Sequence, residues 1–144
     1  MDRIEHLLPD DVVSAASQRG GEYAWRPSDI PRVIEAGRKA GLASLGGQLQ
    51  FRTPDGTCEC YWVDVDTSSV VSQSLSWSDR VNLSAEVALN SFEHLAEAYD
   101  FTSEGRSSFR HLQDFEAAGG DLQAVLWFVW YLEPEPSATD EDLL

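Results

Sequence analysis

The sequence predicts an α+β domain, a small antiparallel sheet with helices packed against one face, and three observations lead to this prediction. Residues 43–66 form two strand-like segments of period two around the turn sequence TPDGT. A helical pattern of apolar residues extends over residues 77–98, and an aromatic, β-branched segment at residues 123–132 supplies a third strand. We expect residues 1–133 to form a single domain, because this length suits one sizeable core.

Two helices are predicted before the strand pair. A proline and two aspartates favour the start of a helix over residues 9–19, and Gly20-Gly21 ends it. The second helix has Ser28 as its N-cap and ends before Gly41. Its apolar residues share one helical face: Ile30, Val33, Ile34 and Gly37.

The strand pair is predicted to be an antiparallel hairpin. In its first strand apolar and polar positions alternate: Leu45, Gly47, Leu49 and Phe51 against Gly46, Gln48, Gln50 and Arg52. Pro54 and Gly56 suit the backbone angles of the turn. The second strand, residues 57–66, is apolar on both faces, which favours a central position in the sheet. Gly46-Gly47 leads into a strand, unlike a phosphate-binding loop, and predicts a bulge or the close approach of another backbone.

Two more helices and a strand follow along the chain. Ser76 and Asp79 form a capping-box pattern at the start of the long helix. A shorter helix is predicted over residues 107–118, and residues 123–132 are predicted to be a buried strand of the same sheet. Residues 134–144 are acidic and contain proline, which predicts a disordered tail.

The charge of the chain limits the partners that we expect it to bind. The sequence has 25 acidic and 10 basic residues, a formal net charge of −15. Such a field repels nucleic acid and anionic lipid and attracts basic proteins. We therefore expect a basic protein partner, and neither nucleic acid nor a membrane. Solubility alone is the alternative explanation of the charge.

The remaining bulk features favour a cytoplasmic chain. The longest apolar run, residues 124–132, is about half as long as a membrane-spanning helix. The N-terminal sequence MDRIEHLLPDD lacks the basic and apolar regions of a secretory signal. Cys58 and Cys60 lie two apart on a strand, a poor geometry for a disulfide that suits a reducing compartment. We expect a monomer or a homodimer.

No catalytic, cofactor-binding or metal-binding residue is predicted, and the chain is not expected to be an enzyme. Asp64 and Asp66 share a strand face without a nearby histidine, which favours a solvated strand end over a metal pair. Cys58 and Cys60 provide only half of a zinc site. Glu59 is one of several glutamates that act as general acids only where a cleft buries them. A small enzyme with an unrecognised cleft is therefore the third functional hypothesis.

One long segment is similar to a known class of proteins. Residues 23–66, YAWRPSDIPRVIEAGRKAGLASLGGQLQFRTPDGTCECYWVDVD, combine an aromatic–Trp–Arg opening, an amphipathic helix ending in Ala-Gly, and LxxLGGxxxF entering a strand. This order resembles small immunity proteins of bacterial polymorphic toxin systems. Within that class the pattern is most similar to the immunity protein 40 family, in which a strand rich in aromatics and aspartate comes next.

The resemblance implies a binding function. An immunity protein occupies or occludes the toxin made by its own cell or by a sister cell. Many such toxins are nucleases with a basic substrate groove, and an acidic surface associates rapidly with such a groove through electrostatic steering. The candidate partner-binding residues are Glu59, Asp64 and Asp66, with Trp62 as a possible anchor beside them. The alternative function is that of a small acidic adaptor or inhibitor outside toxin systems.

Overall fold

Five antiparallel strands form one sheet in the computed structural model, which describes residues 4–136. In chain order the strands are β1 (Ser17–Arg19), β2 (Glu22–Trp25), β3 (Ala43–Thr53), β4 (Gly56–Asp66) and β5 (Leu126–Glu133). Their order across the sheet is β1-β2-β5-β3-β4. Together with the helices described next, this arrangement confirms the predicted α+β class.

Six α-helices accompany the sheet in this part of the chain. They are α1 (Asp10–Ser14), α2 (Ile30–Lys39), α3 (Ser68–Val71), α4 (Trp77–Ala98), α5 (Phe101–Ser108) and α6 (Arg110–Ala117). Apolar side chains of one sheet face pack against these helices to form the core. The core includes Leu49, Phe51, Phe128 and Trp130 from the sheet and Val33, Ile34, Ala88, Phe92 and Leu112 from the helices.

The prediction of a helix over residues 9–19 is wrong in its second half. Helix α1 ends at Ser14, and β1 begins three residues later at Ser17 and pairs with β2. Gly20 and Gly21, with φ of 60° and 83°, form the turn of this hairpin rather than the end of a helix. Two successive residues of positive φ are typical of the turns that join antiparallel strands, and the sequence pattern did not distinguish the two uses of Gly-Gly.

Two helix predictions need smaller corrections. Ser28 is not the N-cap of α2, because residues 27–29 form a turn of 3-10 helix and α2 begins at Ile30. The helix predicted over residues 107–118 is present as α6, which begins at Arg110, and the helix α5 that precedes it was not predicted. Helix α4 has the predicted bounds, and the hydroxyl of Ser76 accepts a hydrogen bond from the Asp79 backbone N–H at 3.1 Å, as an N-cap should.

The strands of the sheet differ from the prediction in position. Strand β4 pairs only with β3 and is an edge strand, so its predicted central position is wrong. Strict alternation divides Cys58 and Cys60 from Val63 and Val65, but a register shift between them leaves all four buried, whereas Tyr61 and Trp62 are exposed. The predicted third strand is present as β5, shifted to Leu126–Glu133 because residues 122–125 form a 3-10 turn, and it lies between β2 and β3. Most of the predicted tail, residues 137–144, lies outside the described residues.

The glycine pair at the start of β3 is explained by close backbone contacts. A Cβ atom on Gly46 would lie 1.9 Å from the carbonyl oxygen of Val65, and one on Gly47 would lie 1.6 Å from that of Val129. Gly46 also has φ of 115°, next to a register shift in the pairing with β5. The predicted bulge and close approach are therefore both confirmed.

The sheet curls so that the face opposite the core is concave. Arg19 of β1 donates a hydrogen bond from Nη1 to Thr57 Oγ1 of β4, at 3.1 Å, although three strands lie between them in the sheet. Arg52 of β3 similarly donates from Nη1 to the carbonyl oxygen of Ser17, at 2.8 Å. Contacts of this length between distant strands require strong curvature, and we call this surface the concave face.

Candidate functional site

Three of the four predicted site residues lie on the concave face along the edge strand β4. The side chains of Gln50 and Gln48 of β3 point to this face. Glu59 pairs with Gln50 and Asp64 pairs with Gln48, so both acids lie on the same face. Asp66 is two residues beyond Asp64 and therefore lies on the same face. The structure thus places these three acids along one edge of the molecule.

A bulge in β4 separates Glu59 from the two aspartates. Cys60 pairs with Leu49, and Asp64 pairs with the adjacent residue Gln48, so the three residues between Cys60 and Asp64 have no partner in β3. A bulge in an edge strand changes the direction in which the following side chains point. Here Tyr61 and Trp62, both in the bulge, are 67% and 44% exposed, whereas Cys60 and the other apolar residues of β4 are buried.

The side chain of Trp62 lies on the helix side of β4, not on the concave face. Its ring stacks on Phe109, with centroids 6.1 Å apart and planes inclined by 22°. Its indole N–H donates a hydrogen bond to Glu104 Oε1 of α5 at 2.8 Å. The four predicted residues are therefore brought to one strand edge, with the acids on one side and the tryptophan on the other.

Glu59 belongs to a hydrogen-bonded network on the concave face. Gln50 Nε2 donates to Glu59 Oε1 at 2.8 Å and to Glu22 Oε1 at 3.3 Å. The hydroxyl of Tyr61 donates to the other oxygen of Glu59, and that of Tyr131 donates to Glu22. The bonds from Tyr61 and Gln50 lower the pKa of Glu59 against the opposing effect of burial, so this carboxylate stays charged at neutral pH.

Arg52 lies at the centre of this network and is only 5% exposed. Its Nε donates to Gln50 Oε1 at 2.8 Å, and its Nη1 donates to the backbone and hydroxyl oxygens of Ser17. Burial and the nearby charge of Arg19 lower the pKa of Arg52, while Glu22 and, more weakly, Glu59 act in the opposite direction. Two cations, Arg52 and Arg19, thus lie near the two carboxylates of Glu22 and Glu59, so the formal charges of this network balance.

Sequence reasoning missed this network for an identifiable reason. Gln50 and Arg52 occupy the polar positions of an alternating strand, a pattern that normally marks a solvated face. The unpredicted hairpin of β1 and β2 covers them instead, since Ser17 and Glu22 supply their partners. The pair Gly20-Gly21, which is typical of turns that join antiparallel strands, was the sequence signal that could have revealed the hairpin covering Gln50 and Arg52.

Asp66 has a local structural role in addition to its exposed charge. Its Oδ1 accepts hydrogen bonds from the Ser68 hydroxyl at 2.6 Å and from the Ser68 backbone N–H at 2.9 Å, at the start of α3. These bonds lower the pKa of Asp66, with the hydroxyl contributing most. Asp64 is exposed and makes no such bond to another described side chain, so its charge is available to a partner.

The other chemical features of the described chain lie away from this edge. A pocket of about 420 Å³ between α1 and α2 contains Glu35, which is ion-paired with Arg38. The Arg38 bond lowers the pKa of Glu35, opposite to the shift that a general acid needs. Across residues 4–136 no three Cys, His, Asp or Glu side chains gather as a metal site would require. Among the helices of this range, none has the length and apolar character needed to cross a bilayer.

Comparison with protein-family models, with curated proteins and with solved structures finds no match for this chain. The similarity of residues 23–66 to immunity proteins therefore stays a prediction from the sequence.

Proposed function

We propose that this chain is an immunity protein that binds and neutralises a bacterial toxin by direct contact, through the outer edge of β4. The structural observation that supports the proposal is the exposed bulge, which presents Tyr61 and Trp62 beside the exposed acid Asp64. The resemblance of residues 23–66 to immunity proteins supports the choice of a toxin as partner. The complex forms in the cytoplasm, a reducing compartment that suits the free Cys58 and Cys60.

The edge has the physical properties of a binding surface. Exposed tryptophan and tyrosine are enriched among the residues that contribute most to protein interfaces. Hydrogen bonds to Glu104 and Glu59 already fix the orientations of Trp62 and Tyr61, so little side-chain freedom is lost on binding. The acids around them attract a basic partner and accelerate its association.

The first test is co-expression with the basic protein encoded next to this chain, combined with a pull-down through a tag on this chain. We expect the neighbouring protein to arrest growth when it is expressed alone. We expect this chain to restore growth and to retain the neighbour in a stable complex. A neighbour that is harmless, or that does not bind, would contradict the proposal and favour the hypothesis of an acidic adaptor or inhibitor.

The variant Asp64→Lys tests which surface is used. Reversal of this exposed charge removes part of the steering field, so we expect association with the basic partner to slow by up to about tenfold. The dependence of the association rate on salt should also weaken, as measured by stopped-flow or surface plasmon resonance. Asp66 is a poorer choice, because its substitution would also remove its two hydrogen bonds to Ser68 at the start of α3.

The matched control is Glu86→Lys, which makes the same charge change on α4. Glu86 lines a groove with Pro31 and Arg38 of α2, away from β4. If the two variants slow association equally, net charge alone controls the rate, and the binding surface lies elsewhere.

A further inference from the structure

The tryptophans of this chain differ in what covers their rings. Two of the five are buried in the core. Trp127 is half-buried, and the guanidinium carbon of Arg26 lies 4.0 Å from its ring centroid. Trp77 is also half-buried, and the guanidinium carbon of Arg80 lies 5.5 Å from its ring. Each half-buried tryptophan is therefore covered by an arginine of the same chain.

Trp62 is the exception among the tryptophans. It is the most exposed of the five, at 44%, and no arginine of residues 4–136 lies over its ring. Phe109 stacks on one side of the indole, and the exposure of the side chain means that part of the ring remains open to solvent. The environment of Trp62 thus lacks the cation that the chain supplies at its two half-buried tryptophans.

A carboxylate lies at the edge of this uncovered ring. Glu104 accepts the indole N–H of Trp62 through Oε1, and no lysine or arginine of the described chain forms an ion pair with it. The backbone of the neighbouring Gly105 packs closely against β3, because a Cβ atom there would lie 2.4 Å from the Phe51 ring. Helix α5 therefore lies close against the sheet and holds the carboxylate beside the indole.

We propose that Trp62 and Glu104 receive an arginine side chain of the partner protein, with the guanidinium on the free side of the indole and hydrogen-bonded to the carboxylate. This inference rests on the proposed function, since it specifies how a basic partner is recognised at the edge of β4. The acids Glu59 and Asp64, on the concave side of the same strand edge, add further negative charge.

Arginine fits this environment better than lysine. A guanidinium is planar, so it stacks on an indole while its N–H groups donate to acceptors in its plane. Arg26 does both within this chain, since it lies over Trp127 and donates to the carbonyl oxygens of Gln123 and Ala124 at 3.1 and 3.0 Å. A lysine ammonium is a compact, strongly hydrated charge that makes no planar stack.

The test is an NMR titration of the full chain with small probes. The indole N–H signal of Trp62 is identified by its loss in Trp62→Phe. The probes are N-acetyl-arginine amide, N-acetyl-lysine amide and N-acetyl-citrulline amide, the last of which keeps the arginine shape without its charge. We expect the arginine probe to shift the Trp62 signal at concentrations at least about threefold lower than the lysine probe. Citrulline should leave the signal unchanged.

Variants of Glu104 provide the control for simple charge attraction. We expect Glu104→Gln to abolish the preference for arginine over lysine, and Glu86→Gln, which removes the same charge on α4, to retain it. An equal response to arginine and lysine in the unaltered chain, or no shift of the Trp62 signal with arginine, would overturn the inference.

The complex with the toxin separates this inference from the proposed function. We expect Trp62→Leu to weaken toxin binding by roughly 30-fold, the loss typical of a dominant interface residue. A complex that forms with unchanged affinity in both Trp62→Leu and Glu104→Gln would refute the arginine site, whereas neutralisation of the toxin would still stand on the co-expression test. Arginine-probe binding at Trp62 without toxin binding would support the site and refute the toxin as its partner.

Discussion

Gly47 shows how one residue controls the packing of two strands. Its backbone lies so close to β5 that a Cβ atom would be 1.6 Å from the Val129 carbonyl oxygen, far inside van der Waals contact. The obstacle is backbone, which a rotamer change does not relieve. Pairing of β3 with β5 therefore depends on the absence of a side chain at this position.

We expect Gly47→Ala to lower the free energy of unfolding by about 3 kcal/mol or more, because β3 and β5 must separate to admit the methyl group. Urea denaturation followed by far-UV circular dichroism measures the change. Gly56→Ala is the matched control, since the nearest atom to a Cβ there is His111 Nε2 at 4.0 Å. Similar losses in the two variants would show that the close approach to Val129 is not the cause.

Cys60 makes the stability of the fold sensitive to alkaline pH. The residue is fully buried, and burial raises the pKa of its thiol from 9.0 to about 12. Burial, helped by the bond to Glu22, likewise raises the pKa of Tyr131 from 10.0 to about 12. In each case the folded state keeps a proton that the unfolded chain loses, so the stabilisation is complete below the unfolded value and is lost as pH rises toward 12.

We therefore expect the free energy of unfolding to fall steadily from about pH 9 to pH 12. Cys60→Ala should be less stable at pH 7, because it leaves a small cavity, but its further loss between pH 9 and 11 should be smaller. Urea denaturation across this pH range measures both effects. Equal pH dependence in the two proteins would exclude Cys60 as a contributor.

At the scale of elements, the start of α4 is determined by a single side chain. The Ser76 hydroxyl accepts the backbone N–H of Asp79, one of the N–H groups that lack a partner in the first helical turn. Helix α4 packs against both β3 and β4, so fraying at its first turn affects contacts with the sheet.

We expect Ser76→Ala to reduce the free energy of unfolding by about 1 kcal/mol, the usual cost of losing an N-cap. Ser78→Ala is the matched control, because it removes the same hydroxyl from an exposed position inside α4, where alanine favours the helix. Thermal unfolding of both variants gives the comparison. A control as destabilised as Ser76→Ala would contradict a capping role.

The elements that depend on local patterns were predictable from the sequence, and those that depend on pairing were not. Helix α4 and the strands β3 and β4 follow from the periodicity of their own residues. Strands β1 and β2 are three and four residues long, too short to show a period, and exist because they pair with each other and because β2 pairs with β5.

The same distinction applies to the candidate site. Because side chains alternate along a strand, the sequence predicts that Asp64 and Asp66 share one strand face, and they do so in the structure. The bulge that turns Trp62 toward α5 arises from the register between β3 and β4, which no residue pattern within β4 reveals. The burial of Arg52 arises in the same way, from a hairpin distant in sequence.

For the whole molecule, the dominant feature is an excess of negative charge. The chain of 144 residues has a net charge of −15, and the described ion pairs are surface contacts, such as Arg106–Glu116 and Arg110–Asp114. Mutual repulsion among the remaining acids opposes the folded state, because unfolding moves like charges apart.

We expect the midpoint of thermal unfolding at pH 7 to rise when NaCl increases from about 10 mM to about 150 mM, since the screening length shortens from about 30 to about 8 Å. Differential scanning calorimetry measures the midpoint. The double variant Glu93→Lys/Glu97→Lys, which reverses two exposed charges on α4, should show a smaller increase. A midpoint that falls with NaCl would mean that attractive pairs outweigh the repulsion.

The position of β5 constrains when the protein can fold during its synthesis. Strands β3 and β4 leave the ribosome early and can pair as a hairpin, but β2 has no sheet neighbour other than β1 until residues 126–133 have emerged. Until then the apolar side chains of β3, including Leu49 and Phe51, lack their cross-strand partners on β5. A nascent or prematurely terminated chain therefore presents an unpaired, apolar strand edge, a form that requires chaperones or is degraded.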